Sequence, residues 1–262
     1  MTSFTSFEVS AFDLRIKAGS QTEHLRNLLD RYIFPSFGRA PAGITPPHLY
    51  VQIEHVAGDY RLLINEALVA TSTDPQLLIP DMIQRLDEAI IPRLGGLRAV
   101  HAGAVQIGNR ALILPGRSHA GKSSLVAELL SHGAAYLSDE YALIDDSGRV
   151  HAYPRPILLR NGHTVRTPVL ARDISALVAS TPLPIGWIME LEYQDGVQWK
   201  APSVSQSQGL MILLRHTPHA LADAPDLVAK FTRAVAGAVT FTGHRMDAKM
   251  AADEILQLAQ AF

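Results

Sequence analysis

The 262-residue chain contains no cysteine. That excludes a disulfide scaffold, a thiolate metal site and a cysteine nucleophile. Charge is also sparse: 18% of the residues are Asp, Glu, Lys or Arg, and the formal net charge is −2. No overall basic field draws such a chain to nucleic acid or to an anionic lipid surface, and neither is expected as a partner. No segment approaches about eighteen apolar residues without a charge, so no transmembrane helix is expected. The first residues, MTSFTSFEVSAFDLRIK, have no basic region and no long apolar run. They do not read as a signal peptide, and the expected compartment is the cytoplasm. Repeats and low-complexity tracts are missing too. What the chain does have is a 47% apolar composition, that of a globular protein with ample material for a core.

Periodicity divides the chain near residue 98. Residues 1–98 read as a small α+β unit. FEVSAFDLRI alternates like a strand, TEHLRNLLDRYIF has helical spacing at Leu25, Leu28, Leu29 and Ile33, and HLYVQIEHV and YRLLINEALVAT read as strands joined at Ala57-Gly58-Asp59. DPQLLIPDMIQRLDEAIIPRL is a helix with Asp74 as N-cap and Pro75 in its first position. Residues 99–262 form the larger unit. HAGAVQIG and RALILPG read as two strands turning at Gly108-Asn109, and Ser123 to His132 as a helix closed by Gly133. AAYLSDEYALID reads as a strand, and short strands are expected near 186–201 and 210–215. PDLVAKFTRAVAG and MDAKMAADEILQLAQAF are helices, with a loop at Gly243-His244-Arg245 before the last. The fold class is α/β (α+β).

Gly116 to Ser123, GRSHAGKS, fits the G-x-x-x-x-G-K-[ST] phosphate-binding pattern. The apolar strand Ala111–Pro115 runs into it and an amphipathic helix leaves it, which is the strand–loop–helix order such a loop needs. Gly116 and Gly121 let the backbone wrap close to phosphate oxygens, and the N–H groups of Arg117, Ser118, His119, Ala120 and the first helical turn face the anion. Lys122 reaches toward the β- and γ-phosphates, Ser123 is the expected Mg²⁺ ligand, and Ser124 follows in the same turn.

Asp139 and Glu140 follow sixteen residues after Ser123, midway through a mostly apolar strand. Adjacent strand residues point to opposite faces, so the two carboxylates are expected to serve different roles. His101 opens the strand before the loop strand, which brings it toward the phosphate site if the two strands pair. Arg155 stands in Tyr-Pro-Arg-Pro and is a candidate clamp for phosphate or acceptor, with Arg160, Arg215 and Arg245 as weaker candidates.

Taken together, HAGAVQIGNRALILPGRSHAGKSSLVAELLSHGAAYLSDE resembles the catalytic core of the HPr serine kinase/phosphorylase family, and more closely its shorter HPr-kinase-related bacterial members. That family shares its nucleotide core with phosphoenolpyruvate carboxykinase. The likeness covers roughly residues 100–160. It implies a P-loop core, ATP and Mg²⁺ as cofactors, and phosphoryl transfer to a serine hydroxyl on a peptide or small protein. It also implies Asp139 as the base that takes the acceptor's proton, Glu140 on the metal side, His101 beside the catalytic carboxylate, and a homo-oligomer as a state to test for. The chain departs from the family in having His119 where glycine is usual and Glu140 where aspartate is usual. The family's segment tied to dephosphorylation has no clear counterpart. Two rivals stay open: a kinase of a small-molecule hydroxyl, and a nucleotide-binding regulator without transfer chemistry. Residues 1–98 are the expected acceptor-recognition module.

Overall fold

The computed structural model describes residues 5–39, 46–117, 120–161, 165–218 and 224–260. The chain divides into two compact units, Met1–Gly95 with Leu158–Leu170, and Gly96–Ile157 with Ala171–Phe262. The division falls close to residue 98, but the first unit also takes a segment from the middle of the chain.

The first unit is a mixed sheet with two helices. Its elements are β1 (Thr5–Ala11), β2 (Leu14–Ser20), α1 (Glu23–Ile33), β3 (Gly38–Arg39), β4 (Leu49–Val56), β5 (Asp59–Ile64), β6 (Ala67–Ser72) and α2 (Ile79–Ile90). The strand order is β3-β1-β2-β4-β5-β6. Among the described residues of this sheet only β2 and β4 run parallel, and α1 lies in the crossover between them. On β4 the alternation buries Leu49, Val51 and Ile53, and α1 buries Leu25, Leu29 and Ile33. Two stretches that read as single strands are hairpins. Phe12-Asp13 and Asn65-Glu66 all take positive φ, reversing the chain with no glycine to mark the turn. Asp74 does cap its helix, accepting from Gln76 N at 2.9 Å. That first turn is a short 3₁₀ segment, and Pro80 begins α2 proper without kinking it.

The second unit is built on β7 (Arg98–Ile107), β8 (Arg110–Pro115), α3 (Lys122–Ser131), β9 (Ala135–Ser138), β10 (Tyr141–Ile144) and β11 (Arg149–His151). A separate two-stranded sheet follows, β12 (Ile157–Asn161) and β13 (Val165–Val169), most of it belonging to the first unit. The second unit then resumes with β14 (Leu183–Tyr193), β15 (Ser203–Val204), α4 (Gln206–Arg215), α5 (Ala224–Val235), β16 (Val239–Arg245) and α6 (Ala248–Gln260). Its sheet runs β11-β10-β7-β8-β14-β16-β15, with β9 also on β7. Val150 of β11 pairs with Leu183 of β14 as well, so β7, β8, β14, β11 and β10 close into a ring. One face carries an apolar cluster of Val100, Ala102, Ala104, Ile113, Ile188 and Phe231. On the other face Gly103 sits against Val126 of α3.

Three expectations are corrected here. Residues 210–215 are helical, part of α4. Its start is set by a reciprocal capping box between Ser205 and Gln208, which outweighs the strand-like texture of the apolar run. Residues 243–245 end strand β16 rather than forming a loop. The acidic pair does not lie within a strand: β9 stops at Ser138 and β10 starts at Tyr141. Both strands pair with β7, so the pair occupies a break between two strands that run along the same side of β7. Among the described residues, no helix is long and apolar enough to cross a membrane.

Candidate functional site

The site sits in the second unit, at the carboxyl ends of the parallel strands β8, β14 and β16. Where such a strand end leads straight into a helix, the helix's free N–H groups make an anion site. Strand β8 is buried from Ala111 to Pro115 and delivers the chain to Gly116. The N-cap of α3 is Gly121 in the left-handed region, φ 77°. Glycine takes that conformation without strain and brings no side chain to cap the helix. The first helical N–H groups, those of Lys122, Ser123 and Ser124, lack intrahelical carbonyl partners at a positive helix end. Ser118 and His119 lie outside the described residues.

Lys122 folds back over the loop. Its Nζ donates to the carbonyls of Gly116 at 2.8 Å and Arg117 at 3.0 Å. Burial pushes its pKa down, while the charges of Glu140 and Asp139 push it up, with a net lowering. The ammonium is therefore a partly desolvated cation in the field of both carboxylates.

The break between β9 and β10 sets those carboxylates at different depths. Asp139 is only 1% exposed, whereas the Glu140 side chain is 30% exposed. The Glu140 carbonyl accepts from Ala102 N at 3.0 Å, pinning the break to β7. The His101 Nε2 hydrogen-bonds Glu140 Oε1 at 2.6 Å, and Arg155 Nη1 stands 3.7 Å from Oε2. Burial works to raise the Glu140 pKa, but the His101 hydrogen bond and the charges of Arg155, His101 and Lys122 prevail and hold it at about 2. The histidine expected beside the catalytic carboxylate thus bonds the residue assigned to the metal side. The pairing of β7 with β10 explains this, because Tyr141 is the register partner of His101.

Arg155 is not a surface arginine. It is 4% exposed, and its carbonyl accepts the Tyr136 hydroxyl at 2.8 Å. Arg160 belongs to the first unit. Arg245 is 2% exposed and reaches the glycine-rich loop.

Periodicity gave no sign of Glu190. From β14 it accepts from Arg215 Nη2 at 2.7 and 2.6 Å and bonds His216 Nε2 at 2.7 Å. The carbonyl of His216, at the end of α4, accepts from His101 N at 2.7 Å. Burial pushes the His216 pKa down, against the opposing pull of Glu190. The available signal was a carboxylate, Glu190, directly after the apolar run IGWIM, with Glu192 two residues on.

Among the described residues, no cluster of three His, Asp or Glu side chains could hold a metal ion by itself. Mg²⁺ needs no such cage, because one or two carboxylates together with substrate phosphates commonly hold it. No protein-family model matches the chain, and no match was found among curated proteins.

Proposed function

We propose that the chain is an ATP- and Mg²⁺-dependent phosphotransferase of HPr-kinase-like architecture, moving the γ-phosphoryl group to a serine hydroxyl of a peptide or small protein. The observation that carries this is the position of Lys122. Its ammonium caps the Gly116–Arg117 carbonyls and feels the charges of Asp139 and Glu140. A left-handed glycine opening α3 onto the loop fits a polyphosphate at the same place.

In this reading the backbone from Gly116 to Ser124 cradles the phosphates, and Lys122 neutralises charge on the leaving group. Ser123 and Glu140 hold the metal, which when bound offsets phosphate charge. Glu140 suits that role because His101 and Arg155 keep it ionised at any working pH and part of it stays exposed. Arg155 supplies a further fixed cation. Asp139 takes the proton of the acceptor hydroxyl as the phosphoryl group passes to that oxygen.

The test incubates the purified protein with γ-labelled ATP, Mg²⁺ and the small proteins or peptides encoded beside it. Label on one serine, lost in Asp139→Asn, supports the reading. Label that survives Asp139→Asn but not Glu140→Gln reverses the two carboxylates. Transfer to a metabolite alone replaces the peptide acceptor with a small molecule. Nucleotide binding without any transfer leaves a regulator. Within the same proposal the first unit recognises the acceptor through the open face and edge of its sheet, where Tyr50 is 40% and Leu68 59% exposed. Replacing both with Ser is expected to raise KM for the acceptor and leave nucleotide Kd unchanged.

A further inference from the structure

We infer that Arg245 is a positioning residue that aims the N–H groups of the glycine-rich loop; the inference rests on the phosphate-binding reading above. Arg245 closes β16, directly opposite Tyr193 of the parallel strand β14. Its backbone is tied there as well, since its carbonyl accepts from Gln194 N at 3.1 Å. The side chain runs under the loop with 2% exposure. Nη2 donates to the carbonyls of Ala120 at 3.1 Å and Gly121 at 3.0 Å. Nη1 donates to the Met246 carbonyl at 2.9 Å. The guanidinium carbon stands 5.5 Å from the centre of the Tyr193 ring. A Cβ on Gly121 would collide with Nη2 and displace the guanidinium, in addition to the strain of the positive φ.

The consequence follows from peptide geometry. In a planar trans peptide the C=O and the following N–H point in opposite directions. With the carbonyls of Ala120 and Gly121 on the Arg245 side, the N–H groups of Gly121 and Lys122 face away from the guanidinium. Those are the donors a β-phosphate needs. The Gly121 carbonyl is also held by Leu125 N at 3.2 Å, the first bond of α3, so what the guanidinium adds is its hold on the Ala120–Gly121 peptide; its donors form a rigid fork that reaches both carbonyls, and a lysine ammonium is a point charge with no such fork. Arg245 stays behind the backbone and acts through the peptides it orients. Its desolvation, which lowers its pKa, reflects that enclosure.

The test compares wild type with Arg245→Lys by calorimetric titration with ATP and with AMP, each with Mg²⁺, and by thermal unfolding. The expected result is an ATP affinity about tenfold weaker in the variant with AMP affinity unchanged, because only the polyphosphate uses the aimed donors. A purely structural arginine would lower Tm and leave the ATP-to-AMP affinity ratio as in wild type; that outcome overturns the inference. If Arg245→Lys does not fold, Tyr193→Leu carries the test, because Tyr193 is half-exposed and its ring seats the guanidinium. An unchanged ratio there overturns the inference equally. Wild-type protein that binds neither nucleotide removes the phosphate-binding reading itself, and the role of Arg245 with it.

Discussion

His101 and Glu140, 39 residues apart in sequence, meet at 2.6 Å, and the contact holds a carboxylate ionised beside the loop lysine. The pH dependence of stability follows from it. Glu140 is held at about 2, below its ordinary 4.5, and Asp145, in a tight turn, at about 2 against 3.8. A depressed carboxylate stabilises the fold fully above its unfolded pKa and stops doing so as pH falls through the folded value. Stability should therefore decline between about pH 4.5 and 2. Glu140→Gln should flatten that decline by at most about 1.4 kcal/mol per pH unit. Urea unfolding at stepped pH measures it, and an unchanged slope would mean that the contact is not made in solution.

Asp139→Asn keeps the shape of a side chain that is 1% exposed and removes its ability to take a proton. Phosphoryl transfer should fall about 10²- to 10⁴-fold with ATP Kd within a few-fold of wild type. Glu140→Gln should instead raise the Mg²⁺ concentration needed for half-maximal rate. Single-turnover rates across a Mg²⁺ series separate the two. Equal Mg²⁺ dependence in both variants would argue against the division of roles.

Lys122→Met should weaken ATP binding and transfer while leaving the fold intact, since the ammonium donates to the loop carbonyls of Gly116 and Arg117. Loss of a charge-assisted phosphate contact corresponds to roughly ten- to a hundredfold in affinity. Fluorescence titration with a labelled ATP analogue reads it, and wild-type affinity would remove Lys122 from the site.

The strand β8, the turn at Gly108-Asn109, α3 and its closing Gly133 were legible because each carries a local signal: alternation, a turn dipeptide, a helical period, a positive-φ glycine. The hairpins at Phe12-Asp13 and Asn65-Glu66 were not, because their turn residues leave no Gly or Pro mark. For α4 the capping signal Ser205-x-x-Gln208 was present, but the apolar run after it read as strand. Burial of Arg155 and Arg245, and the meeting of Glu190 with His216, depend on strands distant in sequence, which no local window contains. The break at Asp139-Glu140 belongs to the same class: the apolar pattern runs across it, and only pairing with β7 reveals it.

Gly103 is where β7 lets α3 approach. A Cβ there would lie 2.7 Å from Cγ2 of Val126. Gly103→Ala should cost about 1–3 kcal/mol through overpacking, and adding Val126→Ala should recover part of it. A double-mutant cycle in urea tests this; strict additivity would show that the helix shifts freely.

Lys230 and Asp146 form an ion pair whose two ends differ sharply in exposure. The Nζ of Lys230 bonds Asp146 Oδ1 at 2.7 Å, with the lysine side chain 1% and the aspartate 77% exposed. It also donates to the Gly96 carbonyl. Removing one partner of a buried charge leaves the other uncompensated, whereas replacing the buried ion with an apolar side chain removes the problem. Asp146→Asn strands a charged ammonium in the interior; Lys230→Met frees an aspartate that water already solvates. The aspartate variant should therefore have the lower Tm of the two, although it changes the more exposed residue. Thermal scans at matched pH decide the order, and a lower Tm for Lys230→Met would mean that the lysine's bond to Gly96 outweighs its charge.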